Sequence, residues 1–341
     1  MLINNIPIHM DINYDKNIRY FEYQSNNHVY VARNIDFIKE NNSSVLDLTS
    51  TKNKILIGLH PRIYHNLIDN LAKILYLDKN LKSSPSWDDF EFILDSSDIP
   101  SHFYDKDGPA FFKFFLEVLE KKHINFTIIN SSPKRMQELN KINNTSHPNK
   151  NVIIKTDNCA IFKDSELKLQ HLDLLSNLFS EYSKNEVANK VVYLSRNVKS
   201  QNYINMDRQN NEYVIEEFFK SNGCDIVIPE TFKTFEDQIK YFSSVKTLIG
   251  LTGSGLLNML MMPNKSNIIE IYTPLETSPY NVETKSRMKR TTTHGQYRDV
   301  AWSKNHTYVS IQNEYNSNSK DLVDQLEKNK IVRVLLDNES F

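Results

Sequence analysis

The sequence predicts an α/β protein of two domains, each organised round a parallel sheet. Three observations carry that prediction. The chain has 341 residues, too many for one compact core and suited to two of ordinary size. From residue 54 onward, short apolar runs alternate with longer amphipathic ones, the pattern of strand–helix units. Hydrophobic residues make up 39% and charged residues 24% of the chain, a globular balance and not a disordered one.

In the first half, ILIG (55–58) reads as a strand. Pro61 suits the first position of the helix that follows, because the N–H it lacks is unpaired there anyway. Ile63, Leu67, Leu71 and Leu75 then recur every four residues as a core stripe. EFILD (91–95) is a second strand, 109–121 a helix rich in phenylalanine, INFTII (124–129) a third strand, and NVIIK (151–155) a further one. Residues 130–150 open as a short helix and end as a polar loop. A helical segment near 165–183 leads to a charged break, so the domain boundary is expected near 165–188. The expected division is a first domain at 1–175, a second at 186–318, and a C-terminal helix and tail at 319–341.

The second half has clearer punctuation. VVYLS (191–195) is a strand that ends at Arg196. Asn211 caps a helix with apolar positions Val214, Ile215, Phe218 and Phe219, and Gly223 stops it. CDIVI (224–228) is the next strand. Thr234 caps a helix carrying Phe235, Ile239 and Phe242, with Asp237 placed in the manner of a capping box. KTLIG (246–250) is a strand, LTGSG a loop, LLNMLMM (256–262) a buried helix closed by Pro263, and NIIEIY (267–272) a strand. This succession is a nucleotide-binding type of half-sheet, whose ligands sit at the carboxyl ends of the strands.

Charge and cysteine content exclude several function classes. Lysine and arginine total 41 against 42 aspartate and glutamate, which argues against a nucleic-acid binder that relies on a basic surface. No apolar run reaches the ~20 residues that span a bilayer. The opening residues, MLINNIPIHMDINYDKN, do not read as a secretory signal. Cys159 and Cys224 alone give neither a disulfide framework nor a zinc ligand set, which suits a reducing cytosol. His102, His123, His147 and His171 show no metal-ligand spacing. His294 and His306 fall in the polar, aromatic stretch THGQYRDVAWSKNHTY, which could border the donor cleft, though structural or surface histidines are the commoner reading.

With only 7 glycines in the chain, the pair Gly253 and Gly255 stands out. In Gly250-Leu251-Thr252-Gly253-Ser254-Gly255-Leu256-Leu257-Asn258 a strand ends, two glycines bracket a serine, and a helix begins. Glycine lets backbone N–H groups approach a ligand closely, and a helix N-terminus adds unpaired donors and partial positive charge. Together these suit a diphosphate, with the Ser254 hydroxyl as a further donor; a tight turn without a ligand is the other reading. No Lys-Ser/Thr pair follows, so this is not a Walker loop. Arg196 ends a preceding strand and is expected at the same sheet edge, where a guanidinium would bind phosphate oxygens in bidentate fashion. Arg208 lies in a polar loop and could reach the same edge. Both are also readable as surface charges. Glu270, inside an otherwise apolar strand, suits either sugar or ribose hydroxyls or a structural partner.

In the first half, Tyr64-His65-Asn66-Leu67-Ile68-Asp69-Asn70 lies on the helix opening at Pro61. His65 and Asp69 at i and i+4 share a helix face away from the leucine stripe. An imidazole backed by a carboxylate is a usable general base, and either residue fits that role. An i,i+4 surface pair has the same spacing.

In this order, the pieces resemble glycosyltransferase family 61. VVYLSR, Arg208 with Asn211-Glu212, ETFKTFEDQIKYFSSVKTLIGLTGSGLLNMLMMP and IIEIY follow that family's C-terminal signature over about eighty residues, and YHNLIDNL looks like its His-x-x-x-Asp helix. The resemblance leaves out the first fifty residues. It implies a GT-B architecture, two Rossmann-like domains facing across a cleft, with the nucleotide-sugar held by the C-terminal domain and the acceptor side and base supplied by the N-terminal one. It implies an inverting transfer with no catalytic metal and no cofactor beyond the nucleotide-sugar co-substrate. Arg196, Gly253, Ser254, Gly255, Asn258 and Glu270 match the donor-side motif, His65 and Asp69 the N-terminal one. Thr252 stands where the family commonly has histidine; it keeps a hydrogen-bond donor and loses a site for positive charge.

The expected function is therefore transfer of a sugar from a nucleotide-sugar to an acceptor hydroxyl, in synthesis of a surface glycan. The expected setting is cytoplasmic, with no transmembrane segment, room for peripheral membrane contact, and a glycan or other hydroxyl compound as acceptor. Two other readings fit the residues: a non-catalytic nucleotide-sugar or glycan binding module, and a GT-B nucleotide-sugar epimerase.

Overall fold

The computed structural model describes residues 2–3, 6–12, 19–25, 28–32, 44–49, 52–60, 63, 65–81, 90–96, 99, 101–104, 108–129, 152–156, 159–161, 169–183, 187–195, 212–272, 294–312 and 319–329. Pro61, residues 130–150, Arg196, Arg208 and Asn211 lie outside them. The chain divides into two compact units, Met1–His171 and Leu172–Phe341.

In chain order the first unit contains β1 (Leu2–Ile3), β2 (Ile6–Ile12), β3 (Arg19–Ser25), β4 (His28–Ala32), β5 (Ser44–Asp47) and β6 (Asn53–Gly58). A π-helical segment, His65–Leu71, then runs into α1 (Ala72–Leu81). β7 (Phe90–Asp95), α2 (Ala110–Lys121), β8 (Phe126–Ile129), β9 (Val152–Thr156) and β10 (Cys159–Ile161) follow, and the division between units falls inside α3 (Leu169–Ser180). Two sheets result. One runs β1-β2-β3-β4-β9-β5 and is antiparallel except for the β5–β9 pair. The other, β10-β6-β7-β8, is wholly parallel.

The parallel sheet accounts for the apolar runs of the first half. Ile55, Leu56 and Ile57 of β6 and Phe92, Ile93 and Leu94 of β7 are all buried, as expected of strands covered on both faces. α2 buries Phe112, Phe114, Phe115, Val118 and Leu119, and each of these buried phenylalanines contributes roughly 2 kcal/mol. Residues 151–155 form a strand as predicted, but β9 belongs to the mixed sheet, between β4 and β5. A run of apolar residues specifies a strand without specifying its partners.

The helix after β6 departs from its expected geometry. Its first part is π-helical, with i→i+5 bonding, so the face assignment made for α-helical spacing does not transfer to it. The buried side is also broader than the leucine stripe: Asn66, Leu67, Ile68, Asn70, Leu71 and Ala72 are all buried.

The second unit continues with β11 (Lys190–Leu194), α4 (Glu212–Ser221), β12 (Asp225–Val227), α5 (Phe235–Phe242) and β13 (Val245–Leu251). A 3-10 helix at Ser254–Met261, β14 (Asn267–Tyr272), α6 (His294–Ser303), β15 (Thr307–Gln312) and α7 (Ser319–Lys328) complete it. All five strands are parallel in the order β12-β11-β13-β14-β15. This is a doubly wound order, in which the winding reverses between β11 and β13. One core layer joins Val191, Tyr193, Ile249, Ile269, Ile271 and Ile311 of the strands to Ile215 and Phe219 of α4 and Leu322 and Leu326 of α7. The C-terminal helix is thus part of this core. The stretch 294–312, read from sequence only as polar and aromatic, supplies α6 and the edge strand β15.

Local signals set the ends of these elements. The Thr234 hydroxyl accepts from the Asp237 N–H at 3.0 Å, capping α5. α4 ends in a Schellman motif: the Gly223 N–H donates to the Lys220 carbonyl and the Cys224 N–H to that of Phe219, with Gly223 at φ +80°.

Candidate functional site

In the second unit, the strand-order reversal places the carboxyl ends of β11 and β13 side by side, the position where doubly wound sheets take their ligands. Ser195, just past β11, is buried; its N–H donates to the Val227 carbonyl at 2.9 Å and its hydroxyl donates to Glu216. The next residue, Arg196, lies outside the described residues, as does Arg208. Gly250 pairs in register with Leu194 on one side and Glu270 on the other.

Beyond β13, Thr252 is tied to β14. Its N–H donates to the Ile271 carbonyl at 2.9 Å, and its hydroxyl donates to the same oxygen at 3.4 Å. The chain then turns into the Ser254–Met261 helix, the buried helix expected over 256–262, here with 3-10 winding. The two ends of this helix differ. At its carboxyl end the carbonyls are met by protein donors: His306 Nε2–H donates to Met259 O at 3.0 Å and Lys304 Nζ to Leu260 O at 3.1 Å. At its amino end, no acceptor for the N–H groups of Gly253, Ser254 and Gly255 is found among the described residues. Three amide donors and the positive end of the helix dipole therefore lie together at this helix start.

Asn258, which matches the donor-side motif, is buried. Its Nδ2 donates to the Gly255 carbonyl at 2.7 Å, and its Oδ1 accepts from Gln238 Nε2 of α5 at 2.6 Å. Both ends of the amide are engaged inside the protein. Glu270 is fully buried on β14 and accepts from the Tyr308 hydroxyl of β15. Burial, and then the Glu270 carboxylate beside it, push the Tyr308 phenol far above its ordinary range.

His306 is buried between two backbone groups. Its Nδ1 accepts from the Ser266 N–H at 3.1 Å while Nε2 donates to Met259, which defines a neutral tautomer. Burial pushes its pKa down to about 4. The same cause lowers Lys304 to about 8. Both residues serve the helix end.

In the first unit, β6 delivers the chain to the helix carrying His65 and Asp69. His65 opens the π-helical segment, and its side chain lies outside the described residues. Asp69 is half-buried in the same segment. The loop between strand and helix is stapled by two asparagines that the sequence reading passed over. Asn66 exchanges hydrogen bonds with the N–H and carbonyl of His60, and Asn70 Nδ2 donates to the Gly58 carbonyl at 3.1 Å. Their signal was available, since two asparagines four apart sit on the side of the helix that the leucines bury. Gln238 carried a similar signal, a polar residue within the stripe Phe235, Ile239 and Phe242.

Comparison with known families decides the assignment. The family model for glycosyltransferase 61 matches residues 58–269, more than half of the chain. The chain belongs to glycosyltransferase family 61. Glycosyltransferase activity, with a donor and an acceptor substrate, is what this family membership indicates. The family 61 region begins at the end of β6 and stops within β14. It takes in His65, Asp69 and the Thr252–Asn258 segment, and ends one residue before Glu270; Tyr308 lies outside it. No curated protein matches the chain. Among the described residues, no helix is long and apolar enough to cross a membrane.

Proposed function

We propose that this family 61 chain is an inverting glycosyltransferase that moves a sugar from a nucleotide-sugar to an acceptor hydroxyl without a catalytic metal or further cofactor. The observation that carries the donor half is the set of N–H groups at Gly253, Ser254 and Gly255, with no protein acceptor among the described residues, at the β11–β13 reversal. A diphosphate supplies the acceptors such a helix start requires. His65 or Asp69 removes the proton from the acceptor hydroxyl, whose oxygen attacks the anomeric carbon in line. The anomeric carbon–oxygen bond breaks, and the nucleoside diphosphate leaves with its charge met by the glycine segment and Arg196. Ser254 adds a hydroxyl donor, and Arg208 a second guanidinium.

Two residues of the donor motif take indirect parts in this reading. Asn258 holds the loop, and Glu270, buried against Tyr308, shapes the wall of the site. Thr252, bonded to Ile271, fixes the entry to the glycine segment. The proposal includes the GT-B arrangement of Rossmann-like domains, a cytoplasmic setting, and a surface glycan as product.

Donor turnover tests it. Release of nucleoside diphosphate should fall by about 100-fold or more in Arg196→Ala and in Asp69→Ala, the scale of a lost charge stabiliser or general base. Circular dichroism should show both variants folded. Parent-like turnover in both would reject the site assignment.

A further inference from the structure

We infer that Gln238 is a positioning residue for the diphosphate site, acting through Asn258 to hold the Gly253–Gly255 segment in its ligand-ready form. The inference rests on the donor reading above. Gln238 lies on α5, outside the glycine segment, and is buried.

The argument is one of hydrogen-bond polarity. The Gly255 carbonyl can only accept, so Asn258 must turn its NH2 group toward it, as the 2.7 Å contact has it. That leaves the Asn258 carbonyl oxygen facing α5, where it requires a donor. Gln238 presents its NH2 there at 2.6 Å. A backbone carbonyl in the first turn of the 3-10 helix thus dictates the orientation of two buried amides in series. Gln238 is anchored in turn by its own N–H, which donates to the Thr234 carbonyl at 3.3 Å. The Leu256 N–H donates to the Gly253 carbonyl at 3.0 Å. The first turn is therefore held by its own 3-10 backbone bonding and by this side-chain relay, and its N–H groups keep the direction those bonds impose.

Gln238→Glu reverses the polarity while nearly preserving shape. A carboxylate cannot donate to Asn258 Oδ1. Either two acceptors face each other, or Asn258 turns over and sets its oxygen against the Gly255 carbonyl. In both cases the first turn loses its side-chain support.

Calorimetric titration of the full chain with inorganic pyrophosphate and a panel of nucleoside diphosphates tests the inference. Parent and variant are compared at a temperature where near-ultraviolet circular dichroism shows both folded. Gln238→Glu should weaken binding about tenfold, the scale of one buried hydrogen bond. Gln238→Met, which removes the donor and adds no charge, should shift binding the same way and is read instead if the glutamate variant does not fold. Folded variants that bind within about twofold of the parent overturn the inference. A parent that binds neither pyrophosphate nor any nucleoside diphosphate overturns the donor reading instead. Hydrogen exchange then judges the positioning role: the Leu256 amide should lose about tenfold of its protection while the β13 amides keep theirs. Equal loss at both would reduce Gln238 to a general stabiliser and overturn the role assigned here.

Discussion

Gly250 lies so close to Leu194 that a β-carbon at position 250 would stand 3.3 Å from the leucine's Cβ and 3.4 Å from Leu256 Cδ2. Leu194 Cβ is fixed to a buried central strand and yields little. Gly250→Ala should therefore destabilise the protein by about 1–2 kcal/mol, and Gly250→Val by more, through overpacking. Urea unfolding measures the difference; an alanine variant as stable as the parent would show that β11 gives way freely.

Tyr308→Phe removes the hydroxyl that donates to the buried Glu270 carboxylate. Loss of a donor to a buried carboxylate costs about 1–3 kcal/mol. Denaturant midpoints for Tyr308→Phe and for the double variant with Glu270→Gln separate this pair from its surroundings. The glutamine, which carries no charge, should recover part of the loss.

His306 gives the fold a defined sensitivity to acid. Its pKa falls from an ordinary 6.5 to about 4 on burial. Between those values the unfolded chain holds a proton that the folded one does not, so stability falls as pH drops through that window and is unaffected above it. From pH 7 to pH 5 this group alone should remove about 2 kcal/mol. Unfolding free energies at both pH values, for the parent and for His306→Gln, isolate the contribution. An identical pH slope in both would place the acid sensitivity elsewhere.

Gly223 holds φ +80° at the end of α4, where its N–H and that of Cys224 close the helix. Nothing lies within 4 Å of where its Cβ would be, so the cost of Gly223→Ala is conformational. It should be about 1 kcal/mol, seen as a lowered thermal midpoint with the fold intact.

Much of this architecture was legible because its signals are local. The strand at VVYLS, the Thr234 cap and the Gly223 stop each depend on a few neighbouring residues, and each has its element in the structure. Residues whose role depends on distant partners were harder to read. Asn258 matches the donor-side motif, and its amide is engaged by Gln238, twenty residues earlier, and by Gly255. Glu270 is joined to Tyr308, thirty-eight residues on, a partner that no local signal names. The π-helical winding at His65–Leu71 has no counterpart in the hydrophobic period, which reads as α-helical there.

By itself the sequence determined the α/β class, most of the parallel strands, the family resemblance and the glycine-rich turn, because periodicity, caps and glycine spacing act over one or two turns of chain. Only the tertiary structure decided which strands lie side by side, hence where the winding reverses, and which polar side chains face inward. Those outcomes depend on hydrogen bonds and burial between segments far apart in sequence, such as β9 between β4 and β5, or Gln238 against Asn258. No local pattern encodes the partner.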